Sequence, residues 1–341
     1  MNTTINNTAR LLLLIICFSL SLSTHAGWLS FLKGKGYTAT QYPIVMVGGA
    51  FAFDKAMGID YWYGITDRLR DGGANVYVTN LSSASSNERR GEELLVDIQN
   101  ILDLTGAEKV NLIAHSQGAL AARYVAAIRS DRIASVTSVH GMNRGTHFST
   151  GFRSAIPEGG TIEALGAPLI DSIFNILETL STDSADGDYN SEDRPTDQSI
   201  LVLADATDPV QIAQFNAVYP AGLPSVDCFN VNGGLSGDVG SGAAEVNGVR
   251  YYSWGGVKEQ TNLLDPIDLF LITAFNMFVP ADIEWDGLVP GCGQSLGQVI
   301  RNDYRANHFD AINQFTGLTA FAIDIPSIYA QQANRLKKAG L

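Results

Sequence analysis

Ala114-His115-Ser116-Gln117-Gly118 sets a hydroxyl nucleophile between two kinds of segment. Before it, Lys109 to Ala114 is a short apolar-rich run of the kind that forms a strand buried on both faces. After it, Gly118 to Arg129 is rich in Ala and Leu and reads as a helix. A sharp strand-to-helix turn lifts the Ser116 Oγ out of a sheet. It needs small residues two before and two after the serine, because the two backbones nearly touch there. Ala114 and Gly118 meet that condition. A serine hydroxyl is a weak nucleophile at neutral pH, so the position calls for an imidazole base and a carboxylate to orient it.

Five histidines make the search for the base short. His25 sits in a leader-like segment, and His115 adjoins the serine with its ring badly placed to turn back and take the proton. Of His140, His147 and His308, only His308 leaves a long acid-bearing stretch between itself and Ser116, and the order serine, acid, histidine accompanies this kind of turn. His308 is the expected base. For the acid, Asp265, Asp268, Asp282, Asp286 and Asp303 all stay open; Asp286 precedes Gly287 in a turn after an apolar stretch. The amides that receive developing negative charge are expected from Gln117 and from the loop Gly48-Gly49-Ala50, whose glycines let the backbone come close to a substrate.

From Tyr42 to Val139 the chain alternates short apolar runs with helical patterns. The runs are Ile44 to Val47, Val76 to Val78, the strand before Ser116, and Ile133 to Val139; the helical patterns include Tyr61 to Leu69 and Gly91 to Leu104. That alternation predicts an α/β fold, a mainly parallel sheet flanked by helices, with catalytic loops at the carboxyl ends of the strands. The middle is different. Ile162, Leu165, Leu169, Ile173, Ile176, Leu177 and Leu180 recur at helical spacing, and the acidic stretch Thr182 to Gln198 reads as a loop. Periodicity alone favours a helix packed on the core over a mobile cover. Tyr251 to Trp254 returns to strand character, and a helix is predicted near Ile328 to Lys338.

Residues 1–26 hold a single charge at Arg10, then the apolar run Leu11 to Leu22 and a small-residue end at Ala26. This is the layout of a secretory signal cleaved before Gly27, too short in its apolar core to span a bilayer. Residues 27–341 read as one domain, since no repeat or long linker divides them. The formal charge of −13, or −14 once Arg10 is removed, argues against nucleic acid and anionic lipid as partners. Of three cysteines, Cys17 lies in the signal, which leaves Cys228 and Cys292 as an even pair with a disulfide as the default in an oxidising compartment.

The chain resembles the secreted bacterial triacylglycerol lipases of the Pseudomonas type, which are α/β-hydrolases. The likeness runs through Tyr42-Pro43-Ile44-Val45, Gly58-Ile59-Asp60-Tyr61-Trp62-Tyr63-Gly64, Arg90-Gly91-Glu92, Tyr251-Tyr252-Ser253-Trp254, Leu264-Asp265-Pro266, Asp286-Gly287-Leu288-Val289 and Asn307-His308-Phe309-Asp310. It is weakest from about 181 to 210. The resemblance implies a triad of Ser116, Asp286 and His308, and an oxyanion hole from the amides of Ala50 and Gln117. It also implies a structural Ca²⁺ held by Asp265, Asp310 and the carbonyls of Gln314 and Leu318. It pairs Cys228 with Cys292 and makes the helix near 160–181 a lid, within a lid region of about 155–210. An acylglycerol substrate at a lipid-water interface, a dedicated foldase chaperone, and secretion through the periplasm follow from it as expectations. Two stretches depart from the pattern. The family has His-Gly and a bulky apolar residue where this chain has Gly48-Gly49-Ala50, and a Gly-x-Pro-His pattern where this chain has His140-Gly141-Met142-Asn143. An esterase for short soluble esters and a non-catalytic binding protein on the same scaffold are the alternative readings.

Overall fold

A computed structural model describes residues 36–50, 52, 55–56, 59–156, 181–182, 199–226, 240–265, 268, 271, 284–314, 316–321 and 323–341. The signal at 1–26, Cys228, Asp282 and the amphipathic stretch 160–180 lie outside them. No helix of the described residues is long and apolar enough to cross a membrane.

Chain order among the described residues gives β1 (Ile44–Val47), α1 (Ile65–Asp71), β2 (Val76–Val78), α2 (Asn87–Thr105), β3 (Val110–His115), α3 (Gly118–Ile128) and β4 (Ile133–Val139). Then follow α4 (His147–Ala155), α5 (Ile200–Thr207), α6 (Pro209–Val218), β5 (Glu245–Val246), β6 (Val249–Gly256), β7 (Gln298–Tyr304) and α7 (Ile325–Lys338). The sheet order is β2-β1-β3-β4-β6-β7, with every neighbouring pair parallel; β5 folds back antiparallel on β6.

Strand β1 shows why the sheet needs helices on both sides. Ile44 and Met46 enter one buried cluster and Val45 and Val47 the other, as the two-residue period of a strand dictates. All four are fully buried, each worth about 1.5–3 kcal/mol of burial. One face is covered by Leu94 and Ile98 of α2 with Ala122 and Val125 of α3, the other by Ile65 and Leu69 of α1 with Tyr329 and Ala333 of α7.

Local signals explain where the elements stop. Helix α2 starts earlier than its apolar pattern suggests because the Ser86 hydroxyl accepts from the Arg89 amide. It ends at Gly106 in a left-handed turn whose amide donates to Leu102 O. Helix α1 starts later than predicted: Gly64 is left-handed (φ 67°), so Tyr61 and Trp62 lie before the helix and go into the core.

The chain leaves β1 toward β2, then returns to the other side of β1 as β3. The carboxyl ends of β1 and β3 therefore diverge into opposite connections, the place where open parallel sheets form a crevice. Gly48-Gly49-Ala50 follows β1 and Ser116 follows β3, so both flank that crevice. Gly118 is closely packed, but against the end of β1 rather than the strand before Ser116: a Cβ there would sit 2.5 Å from Gly48 O and 2.7 Å from Val47 O. Both obstacles are backbone and cannot swing away. Gly118→Ala is therefore expected to lower stability by about 1–3 kcal/mol in urea unfolding; an unchanged midpoint would contradict this packing.

Candidate active site

Ser116 has φ 57°, the left-handed region in which a side chain is uncommon. The turn is held open by its neighbours: the Ser116 amide donates to Val139 O (3.1 Å), and Ser116 O accepts from Met142 N and Ala119 N (3.2 Å each). This is the backbone strain that the small residues at 114 and 118 permit. It projects the hydroxyl beyond the sheet.

His308 follows β7 by four residues, and its Nε2 lies 2.9 Å from Ser116 Oγ. On its other side, His308 Nδ1 lies 2.8 Å from Asp286 Oδ2, and the His308 amide donates to Asp286 O at 2.8 Å. Of the acids left open by sequence order that lie among the described residues, Asp286 is the one in contact with this ring. Asp265 and Asp268 are buried elsewhere, and Asp303 is bonded to Arg301 at the surface.

Asp286 is wholly buried, and burial by itself pushes its carboxyl up. The pull of His308 and His140, by charge and by hydrogen bond, outweighs burial and holds it well below the ordinary range. An ionised carboxylate only accepts, so His308 carries its proton on Nδ1 and presents the Nε2 lone pair to the serine hydroxyl. That arrangement can take a proton from Ser116 and return it to a leaving group.

The loop Gly48-Gly49-Ala50, where oxyanion donors are expected, is fixed from two directions. A Cβ on Gly49 would stand 2.6 Å from Ser116 Cβ, so this glycine serves close approach to the nucleophile itself. The Arg90 guanidinium, fully buried on α2, donates to Gly48 O (2.7 Å), Gly49 O (2.9 Å) and Ser82 O. The Gly48 and Gly49 carbonyls are thereby turned toward Arg90. Among the described residues, no group takes up the amides of Ala50 and Gln117. Ala50, Phe152 and Leu201 pack against the buried cluster Ala84, Ile200 and Leu203, so apolar residues of α4 and α5 adjoin the loop.

A hydrogen-bonded line ties this loop to the base. The Gly49 amide donates to Tyr61 Oη (3.1 Å), Tyr61 Oη–H donates to His115 Nδ1 (2.8 Å), and His115 Nε2–H donates to His308 O (3.0 Å). Burial pushes the Tyr61 hydroxyl up and the His115 imidazole well down, so both stay neutral. Sequence reasoning set His115 aside as a base; its ring instead supports the main chain of the base. His140, also set aside, has its Nδ1 2.9 Å from Asp286 Oδ2. The serine-acid-histidine order excludes it as a base and says nothing of a supporting role. His147 begins α4, away from these contacts.

A second acidic group lies behind His308. Asp265 and Asp310 are buried, and their charges, with that of Asp268, act on one another. Asp268 accepts from the amides of Thr261 and Asn262 and from Asn307 Nδ2, whereas Asp310 Oδ1 is buried with no hydrogen-bond donor. Burial, helped by Asp268 and Asp265, pushes the Asp310 carboxyl up to about 7. Gln314 lies on the same loop, its amide bonded to Phe309 O and its side-chain amide to Asp60 O and Tyr61 O. Leu318 precedes Thr319, whose carbonyl accepts from Asn262 Nδ2. Cys292 is buried and disulfide-bonded, with Cys228 outside the described residues.

The family model described as the alpha/beta hydrolase fold matches residues 42–156. The chain is 41% identical over 333 residues to a triacylglycerol lipase of Vibrio cholerae serotype O1, covering 96% of this chain and 99% of that protein. It is 40% identical over 308 residues to a triacylglycerol lipase of Pseudomonas fragi, covering 89% and 98%. Among solved structures it is similar in fold to a metagenomic carboxyl esterase (TM-score 0.52, 13% identity, 88% of this chain and 77% of that one). A Bacillus licheniformis lipase in its propeptide form is likewise similar (TM-score 0.52, 14% identity, 87% and 51%).

The two buried neutral histidines set a pH dependence. In the unfolded chain His115 and His140 titrate near their ordinary value of 6.5, while burial lowers both in the fold. The unfolded state therefore binds more protons below that value, and stability falls as pH drops through it. The loss approaches at most about 1.4 kcal/mol per histidine for each unit of pH below 6.5. Urea midpoints at pH 7.5, 6.5 and 5.5 are expected to fall in that order; a flat series would mean that these rings are protonated in the fold.

Proposed function

The chain belongs to the triacylglycerol lipase family of the α/β-hydrolase fold, and on that premise we propose that it hydrolyses long-chain acylglycerols through an acyl-enzyme on Ser116. The observation that carries the reading is the unbroken line Ser116 Oγ, His308, Asp286, at 2.9 and 2.8 Å, at the carboxyl edge of a parallel sheet.

In this mechanism Ser116 Oγ attacks the ester carbonyl carbon while its proton passes to His308 Nε2. Asp286 Oδ2 stabilises the resulting imidazolium through Nδ1–H. The carbonyl oxygen becomes an oxyanion that accepts hydrogen bonds from the amides of Ala50 and Gln117. Collapse breaks the ester C–O bond, the alcohol leaves with the proton from Nε2, and the acyl group stays on Ser116. Water then attacks the acyl carbon, gives a proton to His308, and the fatty acid departs as Ser116 regains its hydrogen. Support for an acyl chain as the bound group comes from the apolar wall of Phe152, Ile200, Leu201 and Leu203 beside Ala50.

Ser116→Ala is expected to cut turnover of a chromogenic ester by about a hundred-thousandfold and to abolish fluorophosphonate labelling. In the wild type, rate is expected to climb once a long-chain triacylglycerol forms droplets. Retained turnover in the variant would overturn the nucleophile. Smooth saturation on short soluble esters, with no response to droplets, would overturn the long-chain substrate.

The same reading gives the second acidic group a structural Ca²⁺, held by the carboxylates of Asp265 and Asp310 and the carbonyls of Gln314 and Leu318. The donor set is all oxygen, as a hard cation requires, and Asp310 Oδ1 is a buried anionic atom without a donor. A bound ion would supply charge neutralisation; Asp310, two residues from His308 and bonded to the Asn307 amide at 3.0 Å, would hold the base's loop in place. Chelation is expected to lower the melting temperature by about 5–10 °C, with calcium restoring it. Indifference to a strong chelator, with calorimetry showing no calcium binding, would remove the ion. Export by the signal at 1–26, a foldase partner and the Cys228–Cys292 disulfide complete the proposal.

A further inference from the structure

The Asp286 carboxylate accepts from five donors. Oδ1 takes the amides of Leu288 (3.0 Å) and Val289 (2.7 Å), and Oδ2 takes His308 Nδ1 (2.8 Å), His140 Nδ1 (2.9 Å) and Gln294 Nε2 (3.2 Å). The Gln294 amide is shared, since its two hydrogens also face Gly256 O and Val289 O at 3.0 Å each. His140 is therefore the close lateral donor on the oxygen that orients His308. Since the carboxylate only accepts, His140 too carries its proton on Nδ1.

Three local features converge on this contact. His140 stands at the end of β4 with φ 45°, a backbone that costs about 1–2 kcal/mol for a residue with a side chain. Its ring occupies space that a side chain at 256 would fill: a Cβ on Gly256 would lie 2.6 Å from His140 Cε1. Its imidazole is 1% exposed, and burying so polar a ring as mere filler would be unfavourable without a partner.

We propose that His140 is a positioning residue of the triad, a neutral second imidazole that pins Asp286 Oδ2 against His308 and so keeps His308 Nε2 aimed at Ser116. It touches neither substrate nor reacting atoms and transfers no proton. The two amides on Oδ1 hold only one oxygen; the second needs a donor that stays put while the charge on His308 comes and goes. His140 supplies it from β4, a different element from the loop of Asp286 and from β7, which leads to His308. The pre-set geometry is felt mainly in the transition state, so its loss acts on kcat more than on KM.

This inference rests on the hydrolase reading above, and Ser116→Ala run alongside separates the two. His140→Gly removes the donor and relaxes the backbone. His140→Asn tolerates the left-handed turn and offers Nδ2 near the position of Nδ1. With a soluble chromogenic ester, His140→Gly is expected to lose about ten- to a hundredfold in kcat, with KM changed less than about threefold. His140→Asn is expected to recover to within about threefold of wild type. Fluorophosphonate labelling should follow kcat. If His140→Gly keeps wild-type kcat, or His140→Asn falls as far as His140→Gly, the positioning role fails while an inactive Ser116→Ala leaves the hydrolase reading standing. An active Ser116→Ala overturns both. Should the glycine variant not fold, proton NMR of the wild type decides. Three exchange-protected imidazole N–H signals are expected, from His308 Nδ1, His140 Nδ1 and His115 Nε2, one of them lost in His140→Asn; only two signals in the wild type overturn the assignment.

Discussion

A carboxylate with no exposure to water governs the carboxyl edge of this sheet. Removing a charge from solvent costs several kcal/mol unless partners replace the water, and Asp286 meets that demand with five donors drawn from its own turn, from Gln294, from the end of β4 and from the loop after β7. The requirement runs both ways. Those segments are held in register because each must deliver a hydrogen to one small anion, and the His308 ring takes its tautomer from the same contact.

Below that anion, the scaffold supplies direction. Parallel strands place the ends of β1, β3, β4, β6 and β7 on one side, and each contributes through the segment that follows it: Gly49, Ser116, His140, Asp286 and His308. Two polar lines then join the halves of the crevice. Arg90 draws the Gly48 and Gly49 carbonyls toward α2, and the line from Gly49 through Tyr61 and His115 ends on the main-chain carbonyl of His308. A shift in the Gly48-Gly49-Ala50 loop is thereby a shift felt at His308. With glycine at 48 and 49 the loop has little stiffness of its own, and these two lines supply it from outside.

What was legible in the sequence follows the range of the interaction that fixes it. Strand β4 spans the predicted Ile133 to Val139, and β3 and α3 differ from prediction by a residue, because burial on both faces and helical composition are local properties. The turn at Ser116 was legible for the same reason. Which aspartate serves His308 was not, since Asp286 is distinguished from Asp265, Asp268 and Asp303 by contacts 22 and 146 residues away; only the family resemblance pointed to it. Nor did any pattern mark His140 or Tyr61 as partners. The start of α1 was misjudged because the apolar character of Tyr61 and Trp62 belongs to the core, and Gly64 prevents the helix from reaching them.

Two buried aspartates on neighbouring segments meet opposite fates, and the difference lies in hydrogen bonding rather than depth. Asp286 and Asp310 are both fully shielded. Asp286 is saturated by donors, two of them imidazoles, and its carboxyl is held down; Asp310 keeps one oxygen with no donor beside two further carboxylates, and its carboxyl is pushed up. The charges of Asp268 and Asp265 add to that upward push on Asp310. Asn307 then gives that cluster its reach: it donates to Asp268 and accepts from the Phe309 and Asp310 amides, bracketing His308 on both sides in sequence. The imidazole is thus set between Asp286, an anion completed by the protein, and the turn that Asn307 ties to Asp268 and Asp310, and its position depends on both.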